Sequence, residues 1–299
     1  VVVGGPLNNN NGFWSGHTKV FEYNQNTELW KQLGSDILGD NGFNWSGDSV
    51  DINTKGDVIV IGAPLNDGNN GGSSSGLARI YRYTDEQWQQ EGQDLTGDGE
   101  DDSFGSSVGI NAGGNRVAIG GPFNDDNGSN SGHVKVFEYH QDTELWEQLG
   151  SDILGEGEAN FSGHAVDIND KGDIVVIGDG NYGHSTTGYS ARIFRYTDGQ
   201  QWQQEGQDLD EDKSKYDKYY STSISINGEG NRVVVGADRN DDNGLNSGQI
   251  KVFEFREVNN NDEHIPASSP SLSSAPSTHH STLALILLTV FMVQFLSGR

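Results

Sequence analysis

The sequence predicts an all-β fold made by repeating one four-stranded unit, and three observations carry that expectation. A hairpin pattern, two alternating apolar runs joined by a loop of Asn, Asp, Gly and Ser, recurs at residues 1–23, 59–83, 117–139, 174–196 and 233–255. The glycine that closes the second strand of each unit stands at Gly4, Gly62, Gly120, Gly178 and Gly236, each 58 residues from the last. The 42 glycines among short β-branched and aromatic runs favour turns and strands over helices.

Within one period the pattern gives strands at 106–111, 116–120, 133–139 and 145–149. A sheet of four short strands cannot bury both faces alone, and stacking such sheets radially does so; this is the logic of a β-propeller blade. A solenoid or a β-sandwich is the competing architecture. The scheme yields about five blades over residues 1–257, the first lacking its inner strand and the last its outer one. The first strand of a unit is marked by Val50, Val108, Val166 and Ile224, again 58 apart, and Trp30, Trp88 and Trp146 keep the same step while Trp202 comes two residues early. These tryptophans, and the pairs Phe21/Tyr23 and Phe137/Tyr139, read as packing between blades. Residues 28–39 (ELWKQLGSDILG) nearly repeat as 144–155 (ELWEQLGSDILG), so the duplicated piece reads as a pair of units, 116 residues long.

The pattern stops after Phe255. Residues 258–282 form a Ser-, Pro- and Thr-rich linker with too little apolar surface to fold, an extended stalk. Within 283–299 lies the apolar run LALILLTVFMVQFL, expected as a short helix. Its 14 residues are short for a membrane span, which needs about 20. They match the tail of a glycosylphosphatidylinositol attachment signal, with Ser273 or Ser268 among the small residues at the attachment point; a short single-pass anchor is the alternative. The chain opens on Val1, Val2 and Val3 without a methionine or a charged leader, and so reads as beginning inside a repeat.

Net charge is −26, of which residues 258–299 contribute only −1 through Asp262, Glu263 and Arg299, so a nucleic-acid partner is disfavoured. With no cysteine there is neither a disulfide framework nor thiol chemistry. Phosphate loops and glycine-serine elbows are missing from the sequence as well. His17 and His133 sit one double unit apart, as a duplicated structural role would place them, and His140, His164 and His184 lack metal-like spacing. The chain therefore reads as a binding protein and not an enzyme.

Phe104, Gly105, Ser106, Ser107 and Val108, followed by 117–120 and the Gly62, Ala63, Pro64 triplet, resemble the FG-GAP repeat, the unit of the integrin α-chain β-propeller and of many extracellular proteins of microbes and algae. The Phe-Gly pair is replaced in other copies by Trp45, Ser46, Gly47, by Phe161, Ser162, Gly163 and by Tyr220, Ser221. The resemblance implies an extracellular, cell-surface adhesion module with its ligand face on the loops. Family members often bind calcium between the first two strands, but here Asp51, Asn53, Lys55, Gly56 and Asp57 put a lysine where a third oxygen is required, so calcium remains possible while the family loop is unmatched. Asp98, Asp101, Asp102, Asp125, Asp126, Asp241 and Asp242 are the acidic loop residues expected to meet a protein or glycan ligand. Asn44, Asn127 and Asn160 begin N-glycosylation sequons. The alternatives are a non-catalytic propeller within a larger extracellular polysaccharide hydrolase or lyase, and a structural wall or scaffold component.

Overall fold

In the computed structural model the chain is described over residues 1–255, apart from 41, 68–71, 181–190, 210–221, 238–243 and 245–246. These residues carry strands and turns and no helix. The stalk, the apolar run, Ser268, Ser273, Asp241, Asp242 and His184 lie outside the described residues.

Five antiparallel sheets follow one another along the chain as the blades of a β-propeller. Blade 1 is β1 (Val2–Gly4), β2 (His17–Asn24), β3 (Leu29–Gln32) and β4 (Ile37–Leu38). Blade 2 is β5 (Val50–Ile52), β6 (Val58–Ala63), β7 (Leu77–Thr84), β8 (Gln87–Gln90) and β9 (Leu95–Thr96). Blade 3 repeats it as β10 (Ser107–Ile110), β11 (Arg116–Gly121), β12 (His133–His140), β13 (Leu145–Gln148) and β14 (Ile153–Leu154). Blade 4 is β15 (Ser162–Ile168), β16 (Ile174–Asp179), β17 (Ala191–Thr197) and β18 (Gln201–Gln204), and blade 5 is β19 (Thr222–Ile226), β20 (Arg232–Ala237) and β21 (Gln249–Glu254). The four expected strands of the third unit are thus found, and among the described residues blade 1 begins at β1 and blade 5 ends at β21.

The sequence reading overlooked the two-residue strands β4, β9 and β14. Each pairs with the strand that already carries the outer strand, so β12 bonds β13 through Phe137–His140 and β14 through His133 and Val134. The break between them is a turn fixed by a clamp: Gln148 Nε2 donates to Gly150 O at 3.2 Å and to Asp152 Oδ1 at 2.6 Å. Gly150 has φ 79°, a conformation that costs glycine nothing. The same Gln-x-Gly-x-Asp clamp closes blade 1 through Gln32 and Asp36 and blade 2 through Gln90 and Asp94.

Burial explains why the second strands are unbroken apolar runs. In β6, Val58 and Val60 pack toward blade 3 with Val117 and Ile119, while Ile59 and Ile61 pack toward blade 1 with Val20 and Ile37. Both faces of the strand are covered, so alternation of apolar and polar residues disappears. Equivalent cores join blade 3 to blade 4 and blade 4 to blade 5. Three tryptophans lock these contacts. Trp88 Nε1 donates to Leu33 O at 2.9 Å, Trp146 Nε1 to Glu91 O at 2.9 Å, and Trp202 Nε1 to Leu149 O at 2.7 Å, each reaching the preceding blade. Trp30 has no described blade before it and is 53% exposed.

The aligned glycines answer to a steric demand. A Cβ on Gly62 would overlap the carbonyl oxygen of Gly105 in the next blade, and one on Gly120 would overlap that of Gly163. The glycine of the Phe-Gly pair in one blade thus lies against the closing glycine of the blade before it. Two apolar faces stay uncovered among the described residues: Val3 on blade 1 and Ile250 and Val252 on blade 5.

Candidate functional site

The segment with calcium-like spacing is a turn in every unit. Asn53 Oδ1 accepts from the backbone N–H groups of Asp57 and Val58, both at 3.0 Å, and Lys55 pairs with Asp57 at 2.5 Å. Asn111, Asn169 and Asn227 make the same two bonds at the 58-residue step. Asp51 turns away from the loop, and its Oδ2 accepts from Ile110 N in the next blade at 2.8 Å. Asp167 repeats this contact with Ile226 N, also at 2.8 Å. Burial raises the pKa of Asp51 to about 7 against backbone bonds that lower it, with the Asp167 charge adding to the rise, and burial raises Asp167 as well. Of the oxygens that a calcium ion would need, those of Asn53 and Asp57 are engaged within the turn and Asp51 Oδ2 in a bond to the next blade.

The loops between second and third strands meet the loops that enter the next blade, and the backbone bonds of that seam are repeated. Phe43 N donates to Phe13 O and Trp45 N to Trp14 O in the seam of blades 1 and 2. Asp101 N and Ser103 N donate to Ser73 O and Ser74 O in the next seam, and Ala159 N and Phe161 N to Ser129 O and Asn130 O in the one after. One positively twisted backbone serves all three: φ is 56° at Trp14, 66° at Phe43 and 54° at Trp45, with Ser74, Asp101, Ser103, Asn130, Ala159 and Phe161 between 51° and 63°. The left-handed region costs a non-glycine residue roughly 1–2 kcal/mol.

The side chains on this common scaffold differ. In the first seam they form a four-ring cluster: Phe13 stacks on Trp14 with centroids 4.6 Å apart, Phe43 lies 5.4 Å from Phe13, and Trp45 sits 6.4 Å from Trp14 in an edge contact. Phe13 is 53% and Phe43 58% exposed. Where blades 3 and 4 meet, the equivalents of Phe13, Trp14 and Phe43 are Ser129, Asn130 and Ala159. The fold does not require the rings of Phe13, Trp14 and Phe43, since the same backbone forms without them, while the position of Trp45 keeps a ring in Phe161. Asn9 Oδ1 accepts from Trp14 N at 2.7 Å, and Asn11 Nδ2 donates to Gly39 O at 2.8 Å, which fixes the loop beneath the rings.

The acidic loop residues divide. Asp125 Oδ1 accepts from Asn130 N at 2.7 Å and shapes its own loop, while Asp101 is exposed at φ 63°. Asp102 is buried at 3% exposure, and its Oδ2 accepts from Gly99 N at 2.9 Å and Asn124 Nδ2 at 3.3 Å, so this oxygen shapes the loop. Asp98 and Asp126 come together with His133 and Asp152, with one ligand atom from each within 4.8 Å of all the others. Lys135 pairs with Asp98 and lies 3.6 Å from Asp152. Blade 2 has a related ion pair, Arg79 with Asp94 at 2.7 Å and with Asp40 at 2.6 Å, so a basic residue on the third strand joins each of these blades to the loop before it. The sequon asparagines differ: Asn44 and Asn160 are buried, with Asn160 Nδ2 donating to Asp179 Oδ2 at 3.0 Å, whereas Asn127 is exposed and its Nδ2 donates to Gly155 O at 2.7 Å.

The geometry is that of a β-propeller whose loops, and not its strands, vary from blade to blade. Residues 202–253 match the FG-GAP repeat family, and the blade to which they belong recurs from β1 to β21 as a five-bladed β-propeller. No curated protein sequence matches the chain. Among solved structures, hydrazine synthase of Kuenenia stuttgartiensis is similar at 9% identity and TM-score 0.48, over 85% of this chain and 62% of that one, so the chain spans less than two thirds of that protein's length. A putative 6-phosphogluconolactonase from Bacteroides uniformis is similar at 12% identity and TM-score 0.46, over 86% of this chain and 79% of that chain. A periplasmic gluconolactonase of Pseudomonas aeruginosa follows at 11% identity and TM-score 0.47, over 86% and 68%. At such distances nothing about activity passes to this chain.

Proposed function

We propose that this propeller is a cell-surface adhesion module that binds an uncharged glycan, carries out no chemistry itself, and is tethered outside the plasma membrane through the Ser/Pro/Thr stalk and the apolar run at 283–296. The observation that carries the ligand class is the ring cluster of Phe13, Trp14, Phe43 and Trp45. Trp14, Phe43 and Trp45 hold a left-handed backbone common to the seams, and the seam of blades 3 and 4 forms with Ser129, Asn130 and Ala159 in place of Phe13, Trp14 and Phe43. The backbone is common to the seams and the exposed rings of Phe13, Trp14 and Phe43 are not, so it is the rings, a contiguous apolar patch that folding does not need, that point to use. Flat aromatic faces suit the C–H faces of sugar rings, and the exposed amides of Asn9 and Asn10 in the same loop suit hydroxyl groups. A formal charge of −26 opposes acidic polysaccharides and leaves neutral ones.

The test is binding of the full chain to immobilised neutral glycans (β-glucan, mannan, galactan) beside anionic ones, for the wild type and for Trp14→Ala and Phe43→Ala. At least one neutral glycan is expected to bind, with a tenfold or greater loss in each variant and unchanged circular dichroism. Equal binding by wild type and variants, or binding to anionic glycans alone, would contradict the reading.

A further inference from the structure

We infer that the seam of blades 2 and 3 is a binding site for a divalent transition-metal ion, held by Asp98, Asp126, His133 and Asp152. This site is separate from the ring cluster and does not depend on a glycan ligand there. Asp98 comes from the loop between β9 and β10, Asp126 from the β11–β12 loop, His133 from the start of β12 and Asp152 from the turn before β14. Their four ligand atoms fall within 4.8 Å of one another. Around one ion at about 2.0–2.2 Å from four tetrahedral ligands, the ligand atoms would stand roughly 3.4 Å apart, so the widest pair must close by roughly 1.4 Å as the ion enters.

The cluster of carboxylates alone would mean little; the histidine points to a ligand. His133 is fully buried, and neither ring nitrogen has a hydrogen-bond partner. A buried polar group without a partner is costly. Its Nε2 lies toward the Gly121 backbone, where a Cβ would stand 2.8 Å away, and its Nδ1 faces Asp152 Oδ2 at 3.6 Å, beyond hydrogen-bond reach. An ion between the two would satisfy Nδ1. Charge agrees: three carboxylates against Lys135 leave a surplus of two negative charges, the charge of one dication. Asp98 and Asp126 are exposed, which opens the site to solvent. One imidazole with three carboxylate oxygens suits Mn2+ or Zn2+.

The protein supplies its own controls. Blade 2 keeps the acidic pair Asp40 and Asp94, but Leu77 opens its third strand where His133 opens that of blade 3, and Arg79 takes the place of Lys135. Blade 1 has His17, Lys19 and Asp36, with Asn10 in place of Asp126. The full set occurs only in blade 3 among the described residues.

The experiment is a titration of the metal-free full chain with Mn2+ and Zn2+, followed by calorimetry and thermal melting, on the wild type and on His133→Leu, Asp126→Asn, Asp125→Asn and Lys135→Met. Asp126 is exposed, and blade 2 folds with leucine at the histidine position, so these variants should retain the fold. One ion per chain is expected, raising Tm by about 2–4 °C for each kcal/mol of binding linkage. His133→Leu and Asp126→Asn should each lower affinity at least tenfold, Asp125→Asn should leave it unchanged, and Lys135→Met, which removes the competing ammonium, should raise it. No binding by the wild type, or equal binding by wild type, His133→Leu and Asp126→Asn, overturns the site.

Discussion

Trp146 shows how one residue type serves two ends in this chain. Its ring is 2% exposed, packs against Tyr139 at 5.2 Å, and donates to Glu91 O in the preceding blade. Trp146→Ala should cost about 3–5 kcal/mol, whereas Trp30→Ala at the exposed equivalent should cost well under half of that in denaturant melts. Equal losses would mean that the outer strand and not the blade junction sets the contribution. Gly120→Ala places a methyl group on the Gly163 carbonyl and should destabilise by more than Gly56→Ala, where a Cβ meets nothing but φ is 76°. Asp51 gives a pH signature. The folded chain holds its proton to about pH 7 while the ordinary value is 3.8, so the unfolded chain binds fewer protons in between and stability falls as pH rises through that window. Asp51→Asn should therefore shrink the drop in Tm between pH 4.5 and 7.5; an unchanged drop would show that its bonds to Ile110 N and Ile52 N hold the carboxylate ionised.

The strands and their register were legible because every blade restates them. Apolar runs such as 58–63 and 117–121 are bounded by glycines at a fixed step, and a strand buried on both faces needs that composition. The short strands β4, β9 and β14 escaped because two residues carry no periodicity; the Gln-x-Gly-x-Asp clamp, repeated at Gln32, Gln90, Gln148 and Gln204, was the signal that announced them. The ring cluster escaped for another reason. Phe13 and Phe43 stand 30 residues apart, and isolated aromatics in a repeat read by default as packing. What marks them is departure from the repeat: a position that holds Phe or Trp in one unit and Ser, Asn or Ala one double unit later is not serving the common core. His133 and Asp152 were missed as partners because a residue in a strand and one in a turn meet only through β12 pairing with β14. Element by element, amide exchange should be slowest in β6, β11 and β16, which lie under neighbours on both sides, and fastest in β3 and β21. Uniform protection across the blades would argue against a stack stabilised blade by blade.

At the scale of the whole molecule, four inter-blade cores hold a regular frame, and the loops vary upon it. The frame explains the identical parts of the units: glycines where backbones touch, tryptophans that reach back one blade, asparagines that cap turns. The variable parts are then the candidates for use, and they fall on the seams, with rings between blades 1 and 2 and the His133 cluster between blades 2 and 3. The six tryptophans report on this division, since Trp14 and Trp45 belong to the ring cluster and Trp30, Trp88, Trp146 and Trp202 to the outer strands. The most direct measurement is the set of indole N–H resonances of the 15N-labelled chain during titration with a soluble neutral oligosaccharide. The account predicts that the Trp14 signal shifts, with Trp45 beneath it following, while those of Trp88, Trp146 and Trp202 stay fixed. A shift confined to the outer-strand tryptophans, or a Trp14 signal indifferent to every neutral oligosaccharide tried, would contradict it.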